Sequence, residues 1–313
     1  MFAPVERCWI CDGATLSRYH QDGFDFQAYA TQDPELHAYT GQKVWLVRCA
    51  GCGHGQPEAL PTLPRFFDRM YDQAWDHRWV EDEFEGRSKD FIFHRVLRAL
   101  ERRHRSTRRR LLDVGAHAGR FMSLAQRDGW TVEGIELNAR TAACAARRTG
   151  APVHQVNVHA LNADGRRYDA VTLTDVLEHV PEPLPVLKAI AGMIDSGGTI
   201  GVKVPHGPIQ ALKERGLAAF SSHRVSLAEN LVHVNHFSVR SLRLALERAG
   251  FGRVAVGTGA PELLPVTSYG VRAVLADSVR LSMYAAATLP GGVHSPLAFN
   301  LQAFATKPAE SGR

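Results

Sequence analysis

No stretch of this 313-residue chain approaches the roughly 18 consecutive apolar residues that a membrane-crossing helix requires. The opening residues, MFAPVERCWIC, lack the basic-then-apolar layout of a secretory leader. These two absences make the cytoplasm the expected location, and nothing points to a compartment where disulfides would form. Internal repeats and low-complexity tracts are also missing. What remains has the composition of a globular protein, 45% apolar and 22% charged, at a length that favours two units. A net charge of +5 could suit a polyanionic partner. Much of that excess is local, however: Arg102, Arg103, Arg105, Arg108, Arg109 and Arg110 crowd one short segment.

Cysteine is scarce, and its placement is informative. Four of the five cysteines form Cys8-Trp-Ile-Cys11 and Cys49-Ala-Gly-Cys52, with 37 residues between the pairs. Two Cys-x-x-Cys knuckles can close a tetrahedron of thiolates around one structural Zn²⁺, with Gly13, Gly51 and Gly53 easing the turns. Coincidental buried pairs and disulfides are the alternatives. The fifth, Cys144, reads as a small core residue on a helix.

Residues 1–60 show little helical periodicity and are expected to form the zinc ribbon, with Val44–Arg48 as a strand. Residues 61–107 read as a helical lid or connector packed by Phe66, Phe67, Tyr71, Phe84, Phe91 and Phe93. From residue 108 to 313, strands alternate with helices. LLDVG, TVEGIEL, PVHQV, YDAVTLTDV, GTIGVKVP, RVAVGTG and LQAFATKP are the strands; Phe121–Asp128, Leu184–Ile194 and Val239–Ala249 are among the helices. This order predicts an α/β domain with a doubly wound, Rossmann-like sheet. Residues 261–296 are an insertion, Pro-rich at both ends, with an amphipathic helix between.

In LLDVGAHAG an apolar strand leads through an acid and small residues into a helix, whose unpaired N–H groups can receive an anionic group. The spacing from Asp113 through Gly115 to Gly119 does not match the G-x-G-x-x-G loop of dinucleotide sites. An acid beside such a loop suits a ligand bearing both an ammonium and a carboxylate, as S-adenosylmethionine does. Glu136, at the end of the next strand, can accept both ribose hydroxyls.

At these residues the chain resembles class I S-adenosylmethionine-dependent methyltransferases. LLDVGAHAGRFMSLAQRDGWTVEGIELNA is similar to their first two motifs. YDAVTLTDVLEHVPEPLPVLKAIAGMIDSGGTIGVKVPHG and HVNHFSVRSLRLALERAGF resemble later segments of a subgroup that modifies small molecules and sugars, where an N-terminal Cys₄ ribbon is also familiar. The resemblance implies S-adenosyl-L-methionine as cofactor. Asp113, Gly115 and Gly119 would line its methionine end, Glu136 would hold the ribose, and Leu137 would pack near the adenine. Asn157 or Val158 would sit by the adenine amino group, where an acid is more usual, and Asp175 and Val176 would border the methyl donor. His117 departs from the family by replacing its second glycine, although histidine tolerates a left-handed backbone better than most residues.

Methyl transfer requires positioning and removal of the nucleophile's proton. His179, His206 and His236 are the candidate bases; His223 and His233 lie in the same histidine-rich stretch as His236. Asp175-x-x-Glu178-His179 also resembles the metal site of ubiquinone-biosynthesis O-methyltransferases, with Asp175 replacing a glutamate. Imidazole suits Mg²⁺ poorly, so metal-free chemistry ranks ahead of a Mg²⁺ site. The expected function is methyl transfer to a small-molecule hydroxyl, with a sugar or natural-product intermediate as the first expectation. Two rivals are an RNA methyltransferase using RRHRSTRRR as a phosphate-tracking patch, and a non-catalytic scaffold. The arginine stretch lacks interleaved aromatics, which disfavours nucleic acid.

Overall fold

The architecture is that of a computed structural model describing residues 1–73, 84–104, 106–158, 161, 165–220, 229–268 and 270–309. None of the helices among these residues is long and apolar enough to cross a membrane. At the N-terminus, β1 (Phe2–Pro4), β2 (Leu16–Gly23), β3 (Lys43–Cys49), β4 (Gly55–Pro57) and β5 (Ala59–Pro61) build two small antiparallel sheets, β1–β5 and β2–β3–β4. The expected strand at Val44–Arg48 is β3. Helices Phe66–Gln73 and Asp90–Arg103 follow, in the segment expected to be helical.

The main sheet comprises β6 (Arg110–Val114), β7 (Thr131–Ile135), β8 (Val153–His154), β9 (Tyr168–Thr174), β10 (Ile194–Pro205), β11 (Gly252–Thr258) and β12 (Asn300–Thr306). Its spatial order is β11-β12-β10-β9-β6-β7-β8. β8, β7, β6, β9 and β10 pair in parallel, whereas β12 runs antiparallel to both neighbours. All seven expected strands are present, in a mostly parallel Rossmann-like sheet. Strand order reverses at β6/β9, which places a crevice above their C-terminal ends.

Local chemistry sets the helix ends. The Asn138 side chain accepts from the amides of Arg140 and Thr141 to start Ala139–Thr149, and Gly150 ends that helix at φ 65°. Ser238 and Ser241 form a reciprocal cap at Val239–Arg248. Helix Asp90–Arg103 covers one face of the sheet, burying Leu97 and Leu100 with Phe121, Trp130 and Phe304. The other face carries Pro183–Met193 and Val239–Arg248, and their buried cluster extends without a break to Cys8, Ile10, Cys49 and Cys52. The N-terminal ribbon is therefore continuous with the core of the α/β unit. A separate aromatic cluster, Phe24, Phe26, Tyr39 and Phe66, packs beneath Leu231 and Val234.

The 261–296 insertion lies between β11 and β12 and contains the expected helix, Val271–Ala287. Its outer side is rich in apolar residues and its inner side is mixed: Asp277 is buried with Ala273 and Ala287, whereas Val271 and Leu275 are 88% and 68% exposed.

Candidate functional site

Three left-handed residues shape the loop after β6: Gly115 (φ 77°), His117 (φ 47°) and Gly119 (φ 84°). A Cβ on Gly115 would lie 2.3 Å from Val176 Cγ2, so the loop closes against the end of β9 only with glycine there. His117 thus holds a left-handed backbone that glycine would adopt without steric cost. Its backbone N–H donates to Glu136 Oε2 (2.8 Å), while Asn138 N–H donates to Glu136 Oε1 (3.0 Å). Glu136 thus stands at the mouth of β7 with both oxygens held, and burial raises its pKa. Leu137 beside it is exposed, an apolar surface next to a carboxylate. Asp113 is buried and accepts from Thr172 Oγ1 (2.8 Å); burial pushes its carboxyl up to about 7. Val158 packs in the core, and Asn157 is exposed.

The C-terminal end of β9 lies beside this loop. Asp175 also has a left-handed backbone (φ 55°) and donates its N–H to the Lys203 carbonyl (3.0 Å). The Lys203 ammonium bonds the Asp175 carboxylate, and Lys89 approaches the same group at 3.6 Å. Burial pushes the Asp175 carboxyl up, but the two ammonium groups outweigh it and hold it down to about 2. Lys89 belongs to a strap over this opening: neighbouring Asp90 forms a bidentate pair with Arg120 (2.8 and 2.5 Å), and Phe84 packs against Ala118 and Cys144. Cys144 is thus a small buried residue, as expected.

Glu178 and His179 follow in a single 3₁₀ turn, Leu177–His179. Glu178 is 1% exposed, and its Oε2 has no hydrogen-bond partner among the described residues. Burial, reinforced by the charge of Asp175, pushes its carboxyl up to about 8. His179 donates from Nδ1 to the Val232 carbonyl (2.6 Å), which leaves Nε2 unprotonated in the neutral ring. His236 pairs through Nε2 with the His233 carbonyl (3.1 Å), and His206 through Nδ1 with the Ala298 carbonyl (3.0 Å). Burial lowers the pKa of all three, that of His236 to about 4. Each is therefore a neutral imidazole near pH 7, with its second nitrogen able to accept a proton. The rings of His179 and His233 lie 4.8 Å apart, and His233 and His236 line one pocket with Tyr19 and His20 of the ribbon. His223 lies outside the described residues.

The ribbon reaches this cluster through its second knuckle. Gly55 and His236 exchange two backbone hydrogen bonds (3.0 and 2.8 Å), and Ser238 Oγ donates to the Cys52 carbonyl (3.2 Å). Asn235 accepts from His54 and donates to the carbonyls of Leu177 and Val180.

The four sulfurs of Cys8, Cys11, Cys49 and Cys52 all lie within 4.8 Å of one another, and none of these cysteines is disulfide-bonded. Cys8–Cys52 and Cys11–Cys49 are 3.5 and 3.3 Å apart, near the roughly 3.8 Å edge that Zn–S bonds of ~2.3 Å imply for a tetrahedron. Gly13 and Gly51 lie against Cys11 and Cys49 Sγ: a Cβ on Gly13 would press on Cys11 Sγ (3.2 Å), whereas one on Gly51 would make ordinary contacts. The donor set and its geometry fit Zn²⁺. Glu178, His179 and His233 also bring ligand atoms within 4.8 Å of each other, but Asp175 is outside that group and engaged by lysines.

The arginine stretch is largely occupied within the chain. Arg109 pairs with Glu101 (2.6 Å) and lies 4.8 Å from the Trp130 ring; Arg108 pairs with Asp195, Arg110 with Glu133, and Arg103 covers Phe304. Two groups at the opening, Lys203 and Lys89, were not foreseen from sequence. A lysine inside the apolar strand GTIGVKVP was the available signal for the first; Lys89 had none.

The sequence profile of the family described as Methyltransferase domain matches residues 84–256. Ubiquinone biosynthesis O-methyltransferases are similar: that of Paracidovorax citrulli is 34% identical over 131 residues, 40% of this chain and 55% of the relative. That of Vibrio cholerae is 31% identical over 147 residues, 45% and 58% of the respective chains. The chain thus spans little more than half the length of these curated relatives. Among solved structures, a SAM-dependent methyltransferase from Archaeoglobus fulgidus superposes with a TM-score of 0.50 at 15% identity, covering 74% of this chain and all of that one. Phosphoethanolamine N-methyltransferase 2 of Haemonchus contortus gives 0.51 at 13% identity, covering 94% and 69%. At such identities the structural likeness concerns the fold.

Proposed function

The chain belongs to the methyltransferase domain family, and on that premise we propose that it transfers the methyl group of S-adenosyl-L-methionine to a hydroxyl of a small molecule, a sugar or natural-product intermediate. The observation that supports this reading is a chain of contacts at the C-terminal strand ends. His117 meets Glu136 after β6 and β7, Gly115 closes on Val176 after β9, and Asp175 pairs with Lys203 of β10. When bound there, S-adenosylmethionine supplies a methyl group already activated by its sulfonium.

The chain's own residues would do the rest. Asp113, Gly115, His117 and Gly119 would form the methionine end, and Glu136 would turn its carboxylate to the ribose hydroxyls. Leu137 would offer an apolar surface to the adenine, and Asn157 or Val158 would sit by its amino group. Asp175 and Val176 would border the methyl donor. One of His179, His206 and His236, neutral at working pH, would take the hydroxyl proton as the oxygen attacks. The proton leaves the acceptor as the new C–O bond forms and the C–S bond breaks, so charge balances without a metal. The engagement of Asp175 by two lysines supports metal-free chemistry over a Mg²⁺ site. Cys8, Cys11, Cys49 and Cys52 would hold a structural Zn²⁺, and the ribbon, the strap after residue 84 and the 261–296 insertion would enclose the acceptor. Occupation of the arginines by acids and rings favours a small-molecule acceptor over RNA.

Calorimetric titration with S-adenosylhomocysteine, followed by transfer of label from methyl-labelled S-adenosylmethionine to a panel of hydroxylated sugars and phenols, tests the proposal. Absence of cofactor binding would remove it.

A further inference from the structure

The outward face of helix Val271–Ala287 plays no part in the proposed chemistry. Of the ten large apolar side chains exposed among the described residues, seven fall between Val266 and Leu289, so the exposure is concentrated in one surface. The helix is held to the molecule by an inner side of mixed polarity, with Ala273 and Ala287 buried beside Asp277. Asp277 is buried and accepts from the Leu264 N–H with both oxygens (3.0 and 3.2 Å), and Tyr284 packs edge-on against Phe91. Outward point Val271, Val274, Leu275, Val279 and Leu281, with Ala285 and Ala286 continuing the stripe.

Only two polar residues, Ser278 and Ser282, interrupt that stripe, and both turn back on the helix. Ser278 Oγ donates to the Val274 carbonyl (2.7 Å) and Ser282 Oγ to the Ser278 carbonyl (2.8 Å). Their hydroxyl protons are thereby spent within the helix. No charged residue stands on the stripe; Arg272 marks its rim. Contiguous apolar surface of this kind on a water-soluble fold marks an interaction site.

We propose that this face is the contact between two copies of the chain, related by a two-fold axis. An uncharged stripe has no complement for a nucleic acid or an acidic protein, whereas an identical stripe matches it in polarity and shape. Valine, alanine and serine let two helices approach to about 8–10 Å. The helix is about 25 Å long, and Val266 and Leu289 lengthen the contact at each end, towards the ~800 Å² per partner of a stable complex. A membrane surface fits less well, because the stripe carries no aromatic residue and no lysine to anchor it at a lipid headgroup layer. The inner side of the same helix contributes Arg280, Met283 and Tyr284 to a pocket with Thr258 and Asn300, so pairing would brace that pocket's roof from outside. The proposal stands independently of the reaction assigned above.

Sedimentation equilibrium of the full chain tests it, with vesicles of phosphatidylglycerol and phosphatidylcholine as a second arm. The wild type should sediment as a dimer in the micromolar range. Leu275→Glu, and separately Ser282→Arg, should raise the dimer dissociation constant by roughly 100-fold or more, with circular dichroism and S-adenosylhomocysteine binding unchanged. A wild type that stays monomeric at ~50 µM, well above the range of a stable interface of this size, overturns the proposal. A dimer that survives both substitutions also overturns it. Monomeric protein that co-sediments with vesicles, and loses that property with Leu275→Glu, replaces the second copy by a lipid surface.

Discussion

The ring of His54 and the side-chain amide of Asn235 meet at 3.2 Å, Nε2 to Oδ1, across 181 residues of chain. His54 follows the second cysteine knuckle, and Asn235 holds the turn bearing Glu178 and His179 by donating to the carbonyls of Leu177 (2.9 Å) and Val180 (2.6 Å). Replacing Asn235 by alanine leaves the Val180 carbonyl and the His54 imidazole N–H without this partner in a buried site, while the Leu177 carbonyl keeps the Val180 N–H (3.5 Å). Each such loss costs about 1–3 kcal/mol. We expect Asn235→Ala to lower unfolding stability by ~2–4 kcal/mol in urea titrations, with zinc content and cofactor affinity nearly intact. A change below about 0.5 kcal/mol, the scale of an ordinary surface substitution, would show that the strut is not structural.

Metal analysis should find about one zinc per chain. Cys49→Ser should lose it and open residues 1–60 to proteolysis. Because the knuckle shares backbone hydrogen bonds with His236, the same variant should also increase amide exchange at residues 234–238. Unchanged zinc content in Cys49→Ser would exclude these ligands.

Glu136→Ala should weaken S-adenosylmethionine binding by about 2–3 kcal/mol, or roughly 30- to 150-fold, through loss of a charge-assisted contact to two hydroxyls. It also frees the His117 and Asn138 amides that the carboxylate holds. Equal affinity by calorimetry would mean that the ribose lies elsewhere.

With an acceptor in hand, alanine at one of His179, His206 and His236 should cut turnover by ~10²–10⁴-fold with cofactor affinity little changed. Full turnover in all three variants would exclude a histidine base from this cluster.

The contribution of two buried acids to stability should fall as pH rises from neutrality to about 8. Folded Glu178 and Asp113 retain protons that the unfolded chain releases near pH 4, because burial pushes them up to about 8 and about 7. The native state then binds more protons, and each such group contributes a decline of up to about 1.4 kcal/mol per pH unit until its folded pKa is passed. The buried histidines act in the opposite sense. Their folded pKa values lie below the unfolded ~6.5, so they give stability that is lost only as pH drops below that point. Above pH 7 the histidines drop out, but the zinc-site thiols, deprotonated when they hold metal and titrating near ~8.5 when unfolded, oppose the acids. Comparison with Glu178→Gln in cofactor-free unfolding curves isolates the Glu178 share, a difference in slope of up to about 1.4 kcal/mol per pH unit. An unaltered slope would remove Glu178 as its source.

The centre of the sheet was legible because β6, β9 and the second half of β10 are apolar runs of the length a buried parallel strand needs, whereas β8 covers only Val153–His154; helix boundaries agreed within a residue. The loop from Asp113 to Gly119 was legible for a related reason: positive φ restricts residue choice, and His117 took the conformation its type tolerates. Tertiary pairings were not. Lys203 meets Asp175 because parallel register sets β10 beside β9, and Asn235 meets His54 only once the ribbon has docked. No local spacing encodes either. The insertion helix was read as amphipathic, which it is, but periodicity alone could not say that its apolar side faces outward.

The two main-chain bonds between Gly55 and His236 bear on how this chain can be recombined. The segment matching the family begins at residue 84, so a cut there would look clean on a sequence map. Such a cut would deprive His236 of its strand partner and Asn235 of the His54 ring, in the turn that holds the candidate base. The ribbon therefore cannot be exchanged as a cassette. A chimera that brings in a foreign N-terminal portion must bring the matching residues 233–238 with it, and substitutions in the two segments should be inherited together.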